Sequence, residues 1–217
     1  DNDIRVEPLS SPLTPIDLEI PSDPSSASFF IVLAILSKDS KIIVRNMLLN
    51  PTRIGFMNVL EKINIQTNIS NQHYIHGELC GDVEFISSPI NSFEVPAYII
   101  PSIIDEIPIL AVLAAFGDGT TIFNRVEELQ FKESNRLQAI IDNLKNFGIN
   151  AYKEDNSLIV EGGHPTMATV QSFDDHRIAM AFIVLSIAAF GEYEIDNKEC
   201  INISLPGFFN TIEVMLS

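Results

Sequence analysis

A chain of 217 residues, 46% of them apolar, can bury one large core without metal or disulfide staples. Its 29 acidic and 13 basic residues give a formal net charge of -16, which repels nucleic acid and anionic lipid unless a local basic patch overrides the field. The apolar runs Ala27 to Leu36 and Ile178 to Phe190 fall short of the roughly 20 residues that cross a bilayer, so both read as buried helices and no membrane partner is expected.

The opening Asp1-Asn2-Asp3 is not the basic start of a secretory leader. Cys80 and Cys200 are far apart and read as free buried thiols in a reducing, cytoplasmic setting. His73, His76, His164 and His176 show no zinc-site spacing, so no metal is expected.

Along the chain, Asp1 to Ser22 is rich in Pro and Ser, and the alternation Ile16-Asp17-Leu18-Glu19-Ile20 predicts a half-buried strand. Asp23-Pro24-Ser25-Ser26 then opens an apolar helix ending near Ser37, followed by a strand over Lys41 to Asn46 and a helix from about Pro51 to Lys62. A second copy begins at Asp105-Glu106-Ile107-Pro108. Its helix ends Ala114-Ala115-Phe116-Gly117, and a strand at Thr120 to Asn124, a helix from Lys132 to Phe147 and a strand pair across Glu154-Asp155-Asn156 come after it. The third copy starts at Asp174-Asp175-His176-Arg177. Its helix ends Ala188-Ala189-Phe190-Gly191, a strand follows at Glu192 to Ile195, and a last helix spans Phe208 to Leu216.

The shared Ala-Ala-Phe-Gly ending places Gly at the expected helix C-cap in two copies. A spacing of roughly 75 residues is too long for a solenoid and suits a βαβ-containing subunit. Each copy has one helix that is apolar nearly all round, so three such helices should lie together with sheets outside. The fold class read from this is α/β.

Asp23, Ser25 and Asp174 read as ordinary helix caps. Arg177, and Lys132 with Arg136, do not, because a cation in the first turn opposes the helix dipole. An anion between them would reverse that cost, and free helix N–H groups would assist in holding it. Asp105 and Glu133 are the acid–base candidates, with cations lowering and burial raising their pKa values.

Several ordered motifs carry a resemblance. They are Asp105-Glu106-Ile107-Pro108, Glu127-Glu128-Leu129 with Lys132-Glu133-Ser134-Asn135-Arg136, Asp175-His176-Arg177-Ile178-Ala179-Met180-Ala181 and Pro206-Gly207-Phe208-Phe209. Asp23-Pro24-Ser25-Ser26-Ala27 and Leu49-Asn50-Pro51-Thr52-Arg53 add to them upstream. Together they resemble the enolpyruvylshikimate-phosphate synthases over nearly the whole chain.

The resemblance implies an inside-out α/β barrel lobe of about three βαβαββ units, helices inside and sheets outside. It makes 23–217 the C-terminal lobe and 1–22 the end segment of the first lobe with a crossover strand. It implies transfer of the enolpyruvyl group of phosphoenolpyruvate to the 5-hydroxyl of shikimate 3-phosphate in chorismate synthesis. No metal or organic cofactor is implied, and glyphosate competes with phosphoenolpyruvate. The implied partners are those two substrates, bound between this lobe and a missing N-terminal one in a monomeric parent.

By the same resemblance Asp105 is the general base and Glu133 acts in proton transfer at the enol methylene. Asp105 and Lys132 contact shikimate 3-phosphate, Lys132, Arg136 and Arg177 contact phosphoenolpyruvate, and His176 supports them. Two departures stand out: Ile203 occupies the place of a family lysine, and nothing here resembles the first-lobe segments, so the chain alone should not turn over. The alternatives are the related transferase acting on UDP-N-acetylglucosamine and a non-catalytic acidic α/β module.

Overall fold

The computed structural model describes residues 4–216. In chain order its first elements are α1 (Pro24–Leu36), β1 (Lys41–Leu48), α2 (Gly55–Lys62), β2 (Thr67–Ile75), β3 (Glu78–Ile86) and β4 (Glu94–Val95). Then come α3 (Ile107–Ala115), β5 (Thr120–Phe123), α4 (Arg136–Asn146), β6 (Asn150–Glu154), β7 (Ser157–Glu161), α5 (His176–Phe190) and α6 (Phe208–Leu216).

α1, α3 and α5 are apolar on all sides and pack against one another pairwise at the centre. All nine residues of α3 are buried. Each Ile, Leu or Val removed from water in this way contributes about 1.5–3 kcal/mol, so the placement of these helices follows from transfer free energy more than from helix propensity. Around them lie two sheets. One is antiparallel in the order β1-β3-β2, and the other runs β4-β5-β7-β6 with only the β4–β5 pair parallel. β1 and β3 cover α1, and β7 covers α3.

The sequence repeat is visible as a folding unit. Its full form is β4-α3-β5-α4-β6-β7, with the strands flanking α3 paired in parallel. Around α1 the same parallel pair is reduced to the bridge Ser22–Met47, and around α5 to Val170–Ile195. Helices therefore sit inside and sheets outside, the inside-out α/β arrangement expected from the motifs.

Several element boundaries differ from the sequence reading. Ile16 to Ile20 forms no strand; its side chains are exposed, and its described tie is the Glu19 amide donating to His76 Nε2 at 3.1 Å. Alternation makes a strand only where a neighbour supplies ladder partners. Glu192 to Ile195 likewise contributes one bridge rather than a strand, because only Val170 runs beside it: its amide donates to the Glu194 carbonyl at 2.8 Å.

α2 starts at Gly55 instead of Pro51, since Asn50 Oδ1 accepts from the Thr52 amide and hydroxyl and closes a turn first. α4 starts at Arg136 instead of Lys132. Asn135 takes the N-cap by accepting from the Gln138 amide, and Lys132 stays extended after a short 3-10 helix at Glu127–Phe131.

Gly191 is the expected left-handed C-cap, with φ 77°, whereas α3 ends on Phe116 in the ordinary helical region. The glycine demand near Gly117 is instead a close approach, because a Cβ on Gly162 would stand 1.9 Å from the Gly117 carbonyl oxygen. The β2–β3 hairpin was not anticipated. His76 (φ 48°) and Gly77 (φ 88°) form a two-residue turn with both residues left-handed, the geometry usually signalled by Asn-Gly.

Candidate active site

The N-termini of α1, α3 and α5 meet at one end of the central bundle, and four of the chain's 13 basic residues, Arg53, Lys132, Arg136 and Arg177, gather there. Arg136, at the first position of α4, is fully buried. Its Nε donates to Asp175 Oδ2 at 2.7 Å, Nη1 to Asp105 Oδ1 at 2.8 Å and Nη2 to Glu133 Oε2 at 2.5 Å. One guanidinium thus ties the start of α5 to the loop before α3 and to the loop before α4. Burial works against the Arg136 charge, but Asp175, Glu133 and Asp105 more than offset it and raise its pKa. The positive charge whose position looked costly from the sequence is answered by these three carboxylates.

Asp175 is the N-cap of α5 and accepts from the Arg177 amide at 2.9 Å and the Ser134 hydroxyl at 3.0 Å. The cap is therefore Asp175 rather than Asp174, which is exposed with φ 54°. Burial would raise the Asp175 pKa, and the Arg136 hydrogen bond and charge hold it below the ordinary value. Asp23 caps α1 as expected, accepting from the Ser26 amide at 3.0 Å, and Arg53 Nη2 donates to its other oxygen at 2.8 Å. Ser25 is no cap. Its hydroxyl donates to Glu106 Oε1 and accepts from Arg177 Nη1 at 2.8 Å.

Asp105 is half-exposed at the mouth. Burial pushes its pKa up, yet Arg177, Lys132 and Arg136 together hold it below the ordinary carboxylate value, so it is ionised at neutral pH. Lys132 Nζ lies 3.5 Å from Asp105 Oδ1 and 3.8 Å from Glu128 Oε1. Arg177 also donates from Nη1 to the Asp105 carbonyl at 3.2 Å, and among the described residues its Nε and Nη2 make no hydrogen bond. Burial, with Arg177 and Arg136 adding to it, lowers the His176 pKa against the pull of Asp175, which keeps the ring neutral near pH 7. A groove of about 600 Å³ lined by Tyr98, Pro101, Glu128 and Phe131 adjoins the cluster at Glu128.

All six residues singled out in the sequence thus occupy one region: Asp105, Lys132, Glu133, Arg136 and Arg177 are linked directly or through a shared partner, and His176 lies between Asp175 and Arg177. Sequence reasoning missed Asp175, Glu106, Ser25 and Arg53. Ser25 sat in a quoted motif but looked like a cap, and Asp175 was passed over because the cap was assigned to its neighbour Asp174; nothing local distinguishes a capping carboxylate from one that also binds an arginine 39 residues away.

The family description EPSP synthase (3-phosphoshikimate 1-carboxyvinyltransferase) matches residues 1–212. The chain belongs to this family. It is 42% identical over 210 residues to the 3-phosphoshikimate 1-carboxyvinyltransferase of Caldicellulosiruptor saccharolyticus, covering 96% of this chain and 48% of that one. To the enzyme of the same name from Petrotoga mobilis it is 36% identical, covering 100% and 51%. Among solved structures, EPSP synthase from Acinetobacter baumannii superposes with a TM-score of 0.86 at 29% identity over 91% of this chain and 46% of that one. The enolpyruvyl transferase NikO from Streptomyces tendae, at 16% identity and TM-score 0.66 over 88% and 42%, shares the fold. The chain spans about half the length of the curated relatives it matches. Among the described residues no helix is long and apolar enough to cross a membrane.

Proposed function

We propose that this chain is the C-terminal lobe, residues 23–217 with 1–22 as the end of the first lobe and crossover, of a monomeric two-lobed enzyme. That enzyme moves the enolpyruvyl group of phosphoenolpyruvate to the 5-hydroxyl of shikimate 3-phosphate in the cytoplasm, where Cys80 and Cys200 remain reduced thiols. The observation that carries the reading is the convergence of Asp105, Lys132, Glu133, Arg136 and Arg177 at the helix mouth, within a chain of this family. The names of the relatives favour the shikimate acceptor over UDP-N-acetylglucosamine.

Asp105 is the general base. Its Oδ1 is held by Arg136 while, among the described residues, Oδ2 accepts no hydrogen bond and can take the proton of the attacking hydroxyl. The new C–O bond forms at C2 of phosphoenolpyruvate as a proton is added to the methylene. Glu133 handles that proton and removes one again when the C–O bond to phosphate breaks and phosphate leaves. Lys132, within 3.5 Å of Asp105, neutralises charge beside the base and contacts both substrates.

Arg177 presents Nε and Nη2 as a planar fork to the phosphate or carboxylate of phosphoenolpyruvate. Each of the three Arg136 nitrogens already donates to a carboxylate, so gripping the same ligand through Nη2 requires Glu133, the most exposed of those carboxylates, to turn away. That movement would couple anion binding to release of the proton-handling group. Ile203, exposed in a short 3-10 helix, supplies no cation to the site.

The test is phosphate release by the full two-lobed protein with phosphoenolpyruvate and each acceptor. Turnover with shikimate 3-phosphate, reduced by about a hundredfold or more in Asp105→Asn, is expected. Turnover with UDP-N-acetylglucosamine alone would overturn the assignment.

A further inference from the structure

Glu106 is 7% exposed and directly follows the proposed base. Among the described residues, the Ser25 hydroxyl is its one hydrogen-bond donor. Burial raises its pKa against the Ser25 hydrogen bond and the pull of Arg177 and Arg53, so a carboxyl here is a burden on folding unless it serves the site. Its partner supplies one. The same Ser25 oxygen accepts from Arg177 Nη1 at 2.8 Å, and the Asp105 carbonyl accepts from that nitrogen at 3.2 Å.

We infer that Glu106, acting through the Ser25 hydroxyl, is a positioning residue that holds Arg177 with its outer edge toward the incoming anion. A serine hydroxyl has one proton and two lone pairs. Giving the proton to Glu106 turns a lone pair to Arg177; without Glu106, a serine in the first turn of α1 is free to rotate toward backbone acceptors and leave the guanidinium. Two acceptors on one inner nitrogen fix the plane of the rigid fork, which determines where Nε and Nη2 point. Arg136 and Arg177 then divide the work: the first is closed by three carboxylates and ties the site together, while the second is anchored at one corner and open at the other.

The inference rests on the proposed reading of the site, and the experiment separates the two. In the full two-lobed protein, KM for each substrate and kcat are measured for Glu106→Leu, Glu106→Gln, Ser25→Ala and the Glu106→Leu/Ser25→Ala double variant, with thermal melting by circular dichroism alongside. Losing a hydrogen bond that orients a charged group should raise KM for phosphoenolpyruvate roughly tenfold in Glu106→Leu and Ser25→Ala. KM for shikimate 3-phosphate should move by under about twofold, and the double variant should be no worse than the poorer single one. Glu106→Gln, whose carbonyl still accepts, should recover most of the loss.

Unchanged KM in both single variants, equal rises for both substrates, or additive penalties would overturn the relay. If Glu106→Leu does not fold, Ser25→Ala and Glu106→Gln decide alone. If the wild type turns over neither acceptor, the enzymatic reading falls. Calorimetric titration with inorganic phosphate then judges the relay: weaker binding in Ser25→Ala supports it, and equal binding refutes it.

Discussion

Arg136 shows how a single side chain can organise a site. Breaking a buried ion pair by removing one partner costs about 3–5 kcal/mol, because the charge left behind has no water. Arg136→Met would strand Asp175, which is completely buried. Urea unfolding of that variant should show a loss of about that size, while Arg177→Met, on the open side of the site, should lose under about 1 kcal/mol.

Asp82 makes a second prediction at this scale. It accepts from Asn71 Nδ2 at 2.8 Å, the Asn46 amide at 3.0 Å and Arg45 Nη1 at 2.6 Å. These hold its pKa down from 3.8 to about 2. A carboxyl whose folded pKa is depressed stabilises the fold above its unfolded value and loses that contribution as pH falls toward the folded one. The melting temperature of Asp82→Asn should therefore lie below wild type at neutral pH, and the gap should close as pH falls from 3.8 toward about 2.

At the scale of elements, irregular positions carry the specificity. Asn46 and Asn71, both with positive φ, sit in the irregular stretches of β1 and β2 where Asp82 binds, so one buried carboxylate secures both bulges. Gly162 is demanded by a backbone contact of 1.9 Å from any Cβ, which a flexible side chain cannot relieve. Gly162→Ala should destabilise by roughly 1–3 kcal/mol in chemical denaturation. Gly77→Ala, in open space but at φ 88°, should lose about 1 kcal/mol through backbone strain alone. The elements foreseen correctly include those with an unambiguous local signal: α1 behind Asp23-Pro24, α5 after the Asp174-Asp175 pair and ending at Gly191, and the β6–β7 hairpin. The strands expected at Ile16 to Ile20 and Glu192 to Ile195 failed because a strand is a property of two segments, and only one was being read.

At the scale of the whole molecule, three parallel-bridged units place three helix N-termini at one mouth, and their partial positive charges add to those of Arg177, Lys132 and Arg53. On the proposed reading, this mouth is where a chain with net charge -16 takes its small polyanionic substrates. Because the chain spans about half of its relatives, it should bind phosphoenolpyruvate weakly and release no phosphate by itself. Addition of the other half should restore turnover in a phosphate-release assay, and robust turnover by the chain alone would refute the two-lobed reading.

The sequence by itself determined the three wrapped helices, their approximate ends and six members of the cluster, because hydrophobic runs, caps and motif order depend on neighbours a few residues away. Only the tertiary structure decided which charge answers which. Arg136 meets Asp105 and Asp175 across 31 and 39 residues, and Arg177 reaches Ser25 across 152. Such pairs arise when units packed for their apolar surface bring remote polar ends together, and burial then makes each ion pair or hydrogen bond obligatory.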